Sequence, residues 1–82
     1  MNKTPAVAYY SRKIRTTDRE TLFNEIENAP LKKMERYFLW DIVEGMTYKE
    51  LAVKYNKSEA RIYQIKRKIF EFMTLYDKRR LC

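Results

Sequence analysis

The sequence contains no histidine, one cysteine, one glycine and two prolines, and each scarcity removes a class of protein. With no imidazole and the sole thiol at Cys82, neither a Cys/His zinc cluster nor a histidine general base can be assembled. One thiol closes no internal disulfide, so reducing surroundings are expected. Cys82 reads as an incidental exposed thiol rather than a nucleophile, because no imidazole activates it. The shortage of Gly and Pro, with little strand-like alternation, leaves out the turns that an all-β domain needs. An all-α fold follows. No apolar run approaches the ~20 residues of a membrane span, and the opening MNKTPAVAYY holds no stretch suited to a secretory signal. The expectation is a soluble, cytoplasmic chain. Glycine-rich phosphate loops and metal clusters are also missing, and Glu25, Glu27, Asp41 and Glu44 fall in helical segments as solvated charges. An enzyme has no constellation to stand on, and no cofactor is expected.

What is present is aromatic and basic. Seven Tyr, four Phe, one Trp and four Met in 82 residues supply the few large side chains from which a domain this small must build its core. A small bundle of about four helices is expected. The net charge of +7 is unevenly spread: residues 1–16 carry four basic and no acidic side chains, 17–56 six and eight, and 57–82 eight and three. The positive field therefore sits at both ends of the chain around a slightly acidic middle. That distribution suits a polyanion contacted by a C-terminal helix and an arm.

Residues 1–16 show no capping signal and no helical apolar stripe, and Pro5 discourages early helix, so the segment reads as a mobile basic arm in which Tyr9, Tyr10 and Ile14 are suited to local docking. The domain is then 17–82. Thr17-Asp18-Arg19-Glu20 has the form of a capping box with Thr17 as the cap, and Pro30 closes the helix that follows. Leu31, Met34, Phe38 and Ile42, with Leu39 and Val43 widening the stripe, give an amphipathic helix in which Tyr37, Phe38 and Trp40 are core candidates. Gly45 is its natural C-terminal residue. A second box, Thr47-Tyr48-Lys49-Glu50, opens the next helix, which breaks at Asn56-Lys57. Ser58 caps the last helix, with Ile62, Ile65, Ile69, Phe72 and Tyr76 as one apolar seam. Lys78-Arg79-Arg80 reads as a frayed basic tail.

Residues 48–70 have the layout of a helix-turn-helix. Such a motif needs a small residue where two short helices approach, and apolar residues at fixed offsets on both. Ala52 is the small residue, Leu51 and Tyr55 line the first helix, and Ile62 and Ile65 follow Ala52 by ten and thirteen residues. Asn56 suits the positive φ of the turn, while Lys57 stands where an apolar residue is commoner and its stem must snorkel. The string Gly45-x-Thr47-x-x-Glu50-Leu51-Ala52, then Ser58-x-x-Arg61-Ile62-x-Gln64-Ile65-x-x-Lys68, resembles the fourth region of bacterial primary-type sigma factors over about 24 residues. The preceding helix, with Glu35-Arg36 leading into an apolar run, is similar as well. The resemblance implies a bacterial or phage transcription protein whose recognition helix enters the major groove, and a second surface for the flap of RNA polymerase. Gln64 agrees with the family. Glu59, Ala60 and Tyr63 stand where the family mostly has Arg, Glu and Arg, so the resemblance implies the fold and not the specificity.

The recognition helix, about 59–70, then presents Glu59, Ala60, Tyr63, Gln64 and Arg67 as candidate base contacts. Gln64 suits adenine, Ala60 a thymine methyl, and Arg67 a guanine or a phosphate. Lys49, Lys57, Ser58, Lys66 and Lys68 are candidate phosphate contacts. Arg61 matches the family's arginine and is read as an internal partner of Glu50 or Glu35. The expected function is a DNA-binding transcription regulator with double-stranded DNA as partner. The alternative is an RNA polymerase-binding module, a co-activator or inhibitor, with little DNA specificity of its own. The apolar seam of the last helix also suits a homodimer.

Overall fold

Pro5 is well placed to begin a helix, because its fixed φ and missing N–H cost nothing at the first helical position. In the computed structural model, which describes residues 5–81 and side chains as far as Arg79, it does so. The helices are α1 (Pro5–Thr16), α2 (Arg19–Asn28), α3 (Lys33–Val43), α4 (Tyr48–Tyr55) and α5 (Glu59–Leu81). The described residues contain no strand, so the fold is all-α with five helices rather than about four. None of these helices is long and apolar enough to cross a membrane. Cys82 and residues 1–4 lie outside the described residues.

The extra element is α1, where a mobile arm was expected. Val7, Tyr10 and Ile14 recur at i, i+3 and i+7, the spacing of one helical face. Val7 and Tyr10 are fully buried and Ile14 packs beside them. Residues 5–16 therefore do carry a helical apolar stripe, contrary to expectation.

The other boundaries follow local chemistry. The cap of α2 is Asp18, whose carboxylate accepts the Thr21 N–H at 3.0 Å. Thr17 cannot serve, because its own N–H still donates to the Lys13 carbonyl at the end of α1. Helix α3 starts at Lys33, two residues beyond Leu31, with Glu35 accepting the Lys32 N–H at 2.9 Å. Arg36 stitches the α2–α3 loop, donating to the carbonyls of Ala29 and Leu31 at 3.3 Å each. The expected stripe of α3 holds except at one end: Phe38 and Leu39 are buried and Leu31, Ile42 and Val43 pack against the core, whereas Met34 and the core candidate Tyr37 are exposed. Trp40 is half-buried, its ring 5.2 Å from that of Phe23.

Helix α5 is the axis of the molecule. At ~1.5 Å per residue its length is about 34 Å, most of the 37 Å long axis, and α1, α3 and α4 all pack against it. Its inward line is Ile62, Ile69, Phe70 and Met73, followed by the buried polar residues Thr74 and Asp77. Of the expected seam, Ile62, Ile65, Ile69 and Tyr76 lie in or against the core, and Phe72 does not. Phe72 is exposed and stacks on Tyr76, because α1 docks on the Phe70–Met73 side, with Tyr10 edge-on to Phe70 at 5.1 Å. Lys78-Arg79-Arg80 belongs to the helix and is not a frayed tail.

A cluster of charges joins α1, α2 and α5. The Lys13 ammonium donates to Asp77 and lies 2.9 Å from Glu25, while the Tyr9 hydroxyl donates to Asp77 at 2.5 Å. Burial works against the charge on Lys13, yet the two carboxylates outweigh it and its pKa is raised. Tyr9 is also raised, by its hydrogen bond to Asp77 and then by burial. The carboxylates expected as solvated charges are paired: Glu25 with Lys13, Glu27 with Arg36, Asp41 with Lys54 and Glu44 with Arg19. Thr74 donates to the Ala6 carbonyl at 3.1 Å. The Tyr10 hydroxyl alone is buried there with no partner, and burial pushes its pKa up.

Candidate nucleic-acid interface

Helices α3 and α4 end in the same way, and the two ends set the geometry that follows. After α3, Gly45 takes φ +97°, its N–H donates to the Ile42 carbonyl at 3.0 Å, and the Met46 N–H donates to Asp41 at 3.1 Å. After α4, Asn56 takes φ +54°, its N–H donates to Val53 at 3.3 Å, and the Lys57 N–H donates to Ala52 at 3.0 Å. This is the Schellman pairing, in which one left-handed residue satisfies the last carbonyls and turns the chain sharply. The residue after the left-handed position differs. Met46 packs on the core, whereas Lys57 is exposed.

Start signals complete the unit. Thr47 accepts the Glu50 N–H at 3.2 Å while Glu50 accepts the Thr47 N–H at 2.9 Å, and hydrogen bonding from Thr47, its backbone N–H first, holds the Glu50 carboxyl below its ordinary pKa. Ser58 Oγ accepts the Arg61 N–H at 3.1 Å and opens α5. The buried Leu51 and Ile62, with Ala52, Tyr55 and Ile65 around them, pack α4 on the first half of α5. Asp41 ties α4 back to α3, accepting from Tyr55 at 2.5 Å and from Lys54 at 2.8 Å. Burial and then that bond raise the Tyr55 pKa.

The outward face of α5 carries the candidate base contacts. Ala60, Gln64 and Arg67, at i, i+4 and i+7, are all exposed, and Glu59 is exposed beside them. Tyr63 is half-buried, its ring edge-on to Tyr48 at 6.2 Å. Arg67 is held by Glu71 at 2.9 Å, one turn along. Gln64 accepts from Arg61 at 3.4 Å, a long and easily surrendered bond. Arg61 thus partners Gln64, and the expected pairing with Glu50 or Glu35 is not formed.

Among the candidate phosphate contacts, Lys49, Lys57, Ser58 and Lys68 are exposed. Lys66 is half-buried and turned inward: it donates to the Tyr48 hydroxyl at 2.9 Å and lies 5.2 Å from the Phe70 ring centre. Among the described residues, carboxylates neutralise Lys54 and Arg67 in this region, but not Lys49, Lys57, Arg61, Lys66 or Lys68. The face keeps a net positive field.

Tyr48 and Glu71 were not singled out in the sequence. Tyr48 orients both Tyr63 and Lys66 from the first turn of α4. Glu71 was legible as an i, i+4 partner of Arg67, whereas Tyr48 acts on residues 15 and 18 positions away and left no local signal. No group of His, Cys, Asp and Glu among the described residues could hold a metal ion. Comparisons of the chain with protein-family models, curated proteins and solved structures return no match.

Proposed function

We propose that the chain is a DNA-binding transcription regulator that uses α4, the Asn56 turn and the first half of α5 as a helix-turn-helix. The observation that carries this reading is the outward face of α5. Ala60, Gln64 and Arg67 form one exposed line directly after a left-handed turn, flanked by Lys49, Lys57 and Lys68 with no carboxylate partner. A recognition helix needs short or polar side chains that reach base edges, and cations at its margins that meet phosphates. Gln64 is the residue best suited to a base, through a bidentate amide contact with adenine. Arg67 contributes to base reading only after release from Glu71, and Glu59 and Tyr63 shape the margins of the face.

The experiment is selection of bound duplexes from a random DNA pool at near-physiological salt, with Gln64→Ala beside the native chain. Enrichment of one motif that weakens in the variant supports base reading, and inverted half-sites would add a homodimer. Absence of any enrichment ends the sequence-specific reading. The second reading, a module that binds RNA polymerase, draws on the exposed Met34 and Tyr37 of α3 and Val53 of α4, which duplex contact leaves unused. Polymerase capture without duplex enrichment is the result that reading expects.

A further inference from the structure

The face of α5 that carries Ala60, Gln64 and Arg67 does not stop at the motif. Glu71 and Lys78 continue it at helical spacing, and at Lys78 it meets α1. Pro5 and Ala6 flank a shallow groove with Glu71, Thr74, Leu75 and Lys78. The Lys78 ammonium lies 5.5 Å from the centre of the Tyr9 ring. Tyr9 in turn lines an adjoining groove with Arg12, Lys13 and Asp77. Lys13 is neutralised there by Asp77 and Glu25. Arg12 and Lys78 are not: both are exposed, and neither has a carboxylate partner among the described residues. The two carboxylates of this cluster are turned inward onto Lys13, and its rim is cationic.

We propose that Arg12 and Lys78 form a second phosphate-contact site, which holds the backbone of the same duplex beyond the base pairs met by the first half of α5. The proposal rests on the DNA-binding reading. Fourteen residues separate Gln64 from Lys78, about 21 Å along the helix at ~1.5 Å per residue. That distance carries α5 from the floor of a major groove about 12 Å wide to beyond the strand that borders it. A cation pair there meets phosphates and no base edges, so it adds affinity without sequence preference. Tyr9, fixed by its bond to Asp77, gives Lys78 an aromatic surface to rest on, and the same Tyr9 lines the adjoining groove with Arg12.

The test is the salt dependence of duplex affinity for the native chain and for Arg12→Gln/Lys78→Gln, on one duplex of about 20 base pairs, with circular dichroism melting to establish that the variant folds. Each phosphate contact contributes about 0.9 to the slope of log affinity against log salt. Two lost contacts lower the slope by about 1.8, so the variant's affinity deficit shrinks roughly tenfold between 50 and 200 mM salt. The enriched motif stays the same. A folded variant with the native slope overturns the second site while leaving the motif reading intact. A native chain that binds no duplex at any salt overturns the DNA reading, and this site with it. Lys49→Gln/Lys57→Gln on the motif serves as the comparison that must also flatten the slope.

Discussion

The two halves of α5 face opposite demands. Along residues 69–77 the inward side is closed: Ile69, Phe70 and Met73 are buried, Thr74 donates to α1, and Asp77 is held by Lys13 and Tyr9. Along residues 59–68 only Ile62 is buried, and Ala60, Gln64, Arg67 and Lys68 lie open to solvent. One continuous helix therefore serves as core at one end and as display surface at the other. The α1–α2 side supplies rigidity so that the exposed half need supply none. A surface that binds a charged polymer gives up burial, and in a domain this small the loss is recovered elsewhere on the same helix.

That contrast can be broken most sharply at Phe70. Phe70→Ala removes a fully buried ring that packs on Tyr10, and a loss of about 3–5 kcal/mol is expected. Thermal unfolding measures it, and Gln64→Ala, on the open half, should leave the melting temperature nearly unchanged. A comparable loss from the two variants would erase the distinction between the halves.

The next effect is at the hinge between α4 and the display surface. Asn56 sits at φ +54°, a conformation that costs a β-branched residue about 1–2 kcal/mol. Asn56→Val should lower stability by that amount, while Asn56→Gly should retain it. Equal behaviour of the two variants in denaturant titrations would show that the left-handed turn does not constrain the motif.

A smaller effect, of opposite sign, comes from the closed half. The Tyr10 hydroxyl is buried without a partner, and an orphaned polar group costs about 1–3 kcal/mol. Tyr10→Phe deletes that hydroxyl and keeps the ring against Phe70. A gain of about 1 kcal/mol is expected, read as a raised midpoint in urea. A loss instead would mean that the hydroxyl finds a hydrogen bond within the closed half.

The smallest effect concerns the exposed caps. Thr21 holds Asp18, and Thr47 holds Glu50, below their ordinary pKa values, and both carboxylates are fully exposed. A carboxylate depressed by folding contributes stability that is complete above its unfolded pKa, near 4, and is lost as pH falls through the folded value. Melting temperature should thus be flat from pH 7 to about 5 and decline below about 4. Asp18→Asn/Glu50→Gln should blunt that decline.

What could be read from the residues alone divides along the same line as the molecule. The motif half is built from neighbours in sequence: the Thr47–Glu50 box, Gly45, Asn56 and Ser58 each act within four residues, and all were recognisable. The closed half depends on partners far apart in the chain. Lys13 with Asp77 and Ala6 with Thr74 are 64 and 68 residues apart. No local pattern reveals such pairs, so Glu25 reads as solvated, whereas the Val7, Tyr10 and Ile14 stripe of α1 is local and legible. Displacements of one position or one face have the same origin. Thr17 was already committed to α1, and docking of α1 on Phe70 and Met73 turned Phe72 outward.

The central claim is that the open half of α5 is where DNA binds, and amide chemical-shift mapping during titration with a short duplex at low salt tests it directly. The account predicts that the largest changes fall on residues 57–68 and on Lys49, with smaller ones near Arg12 and Lys78, while α2 and the buried line from Ile69 to Met73 stay still. Changes confined to Met34, Tyr37 and Val53, or no saturable change at all, would contradict it.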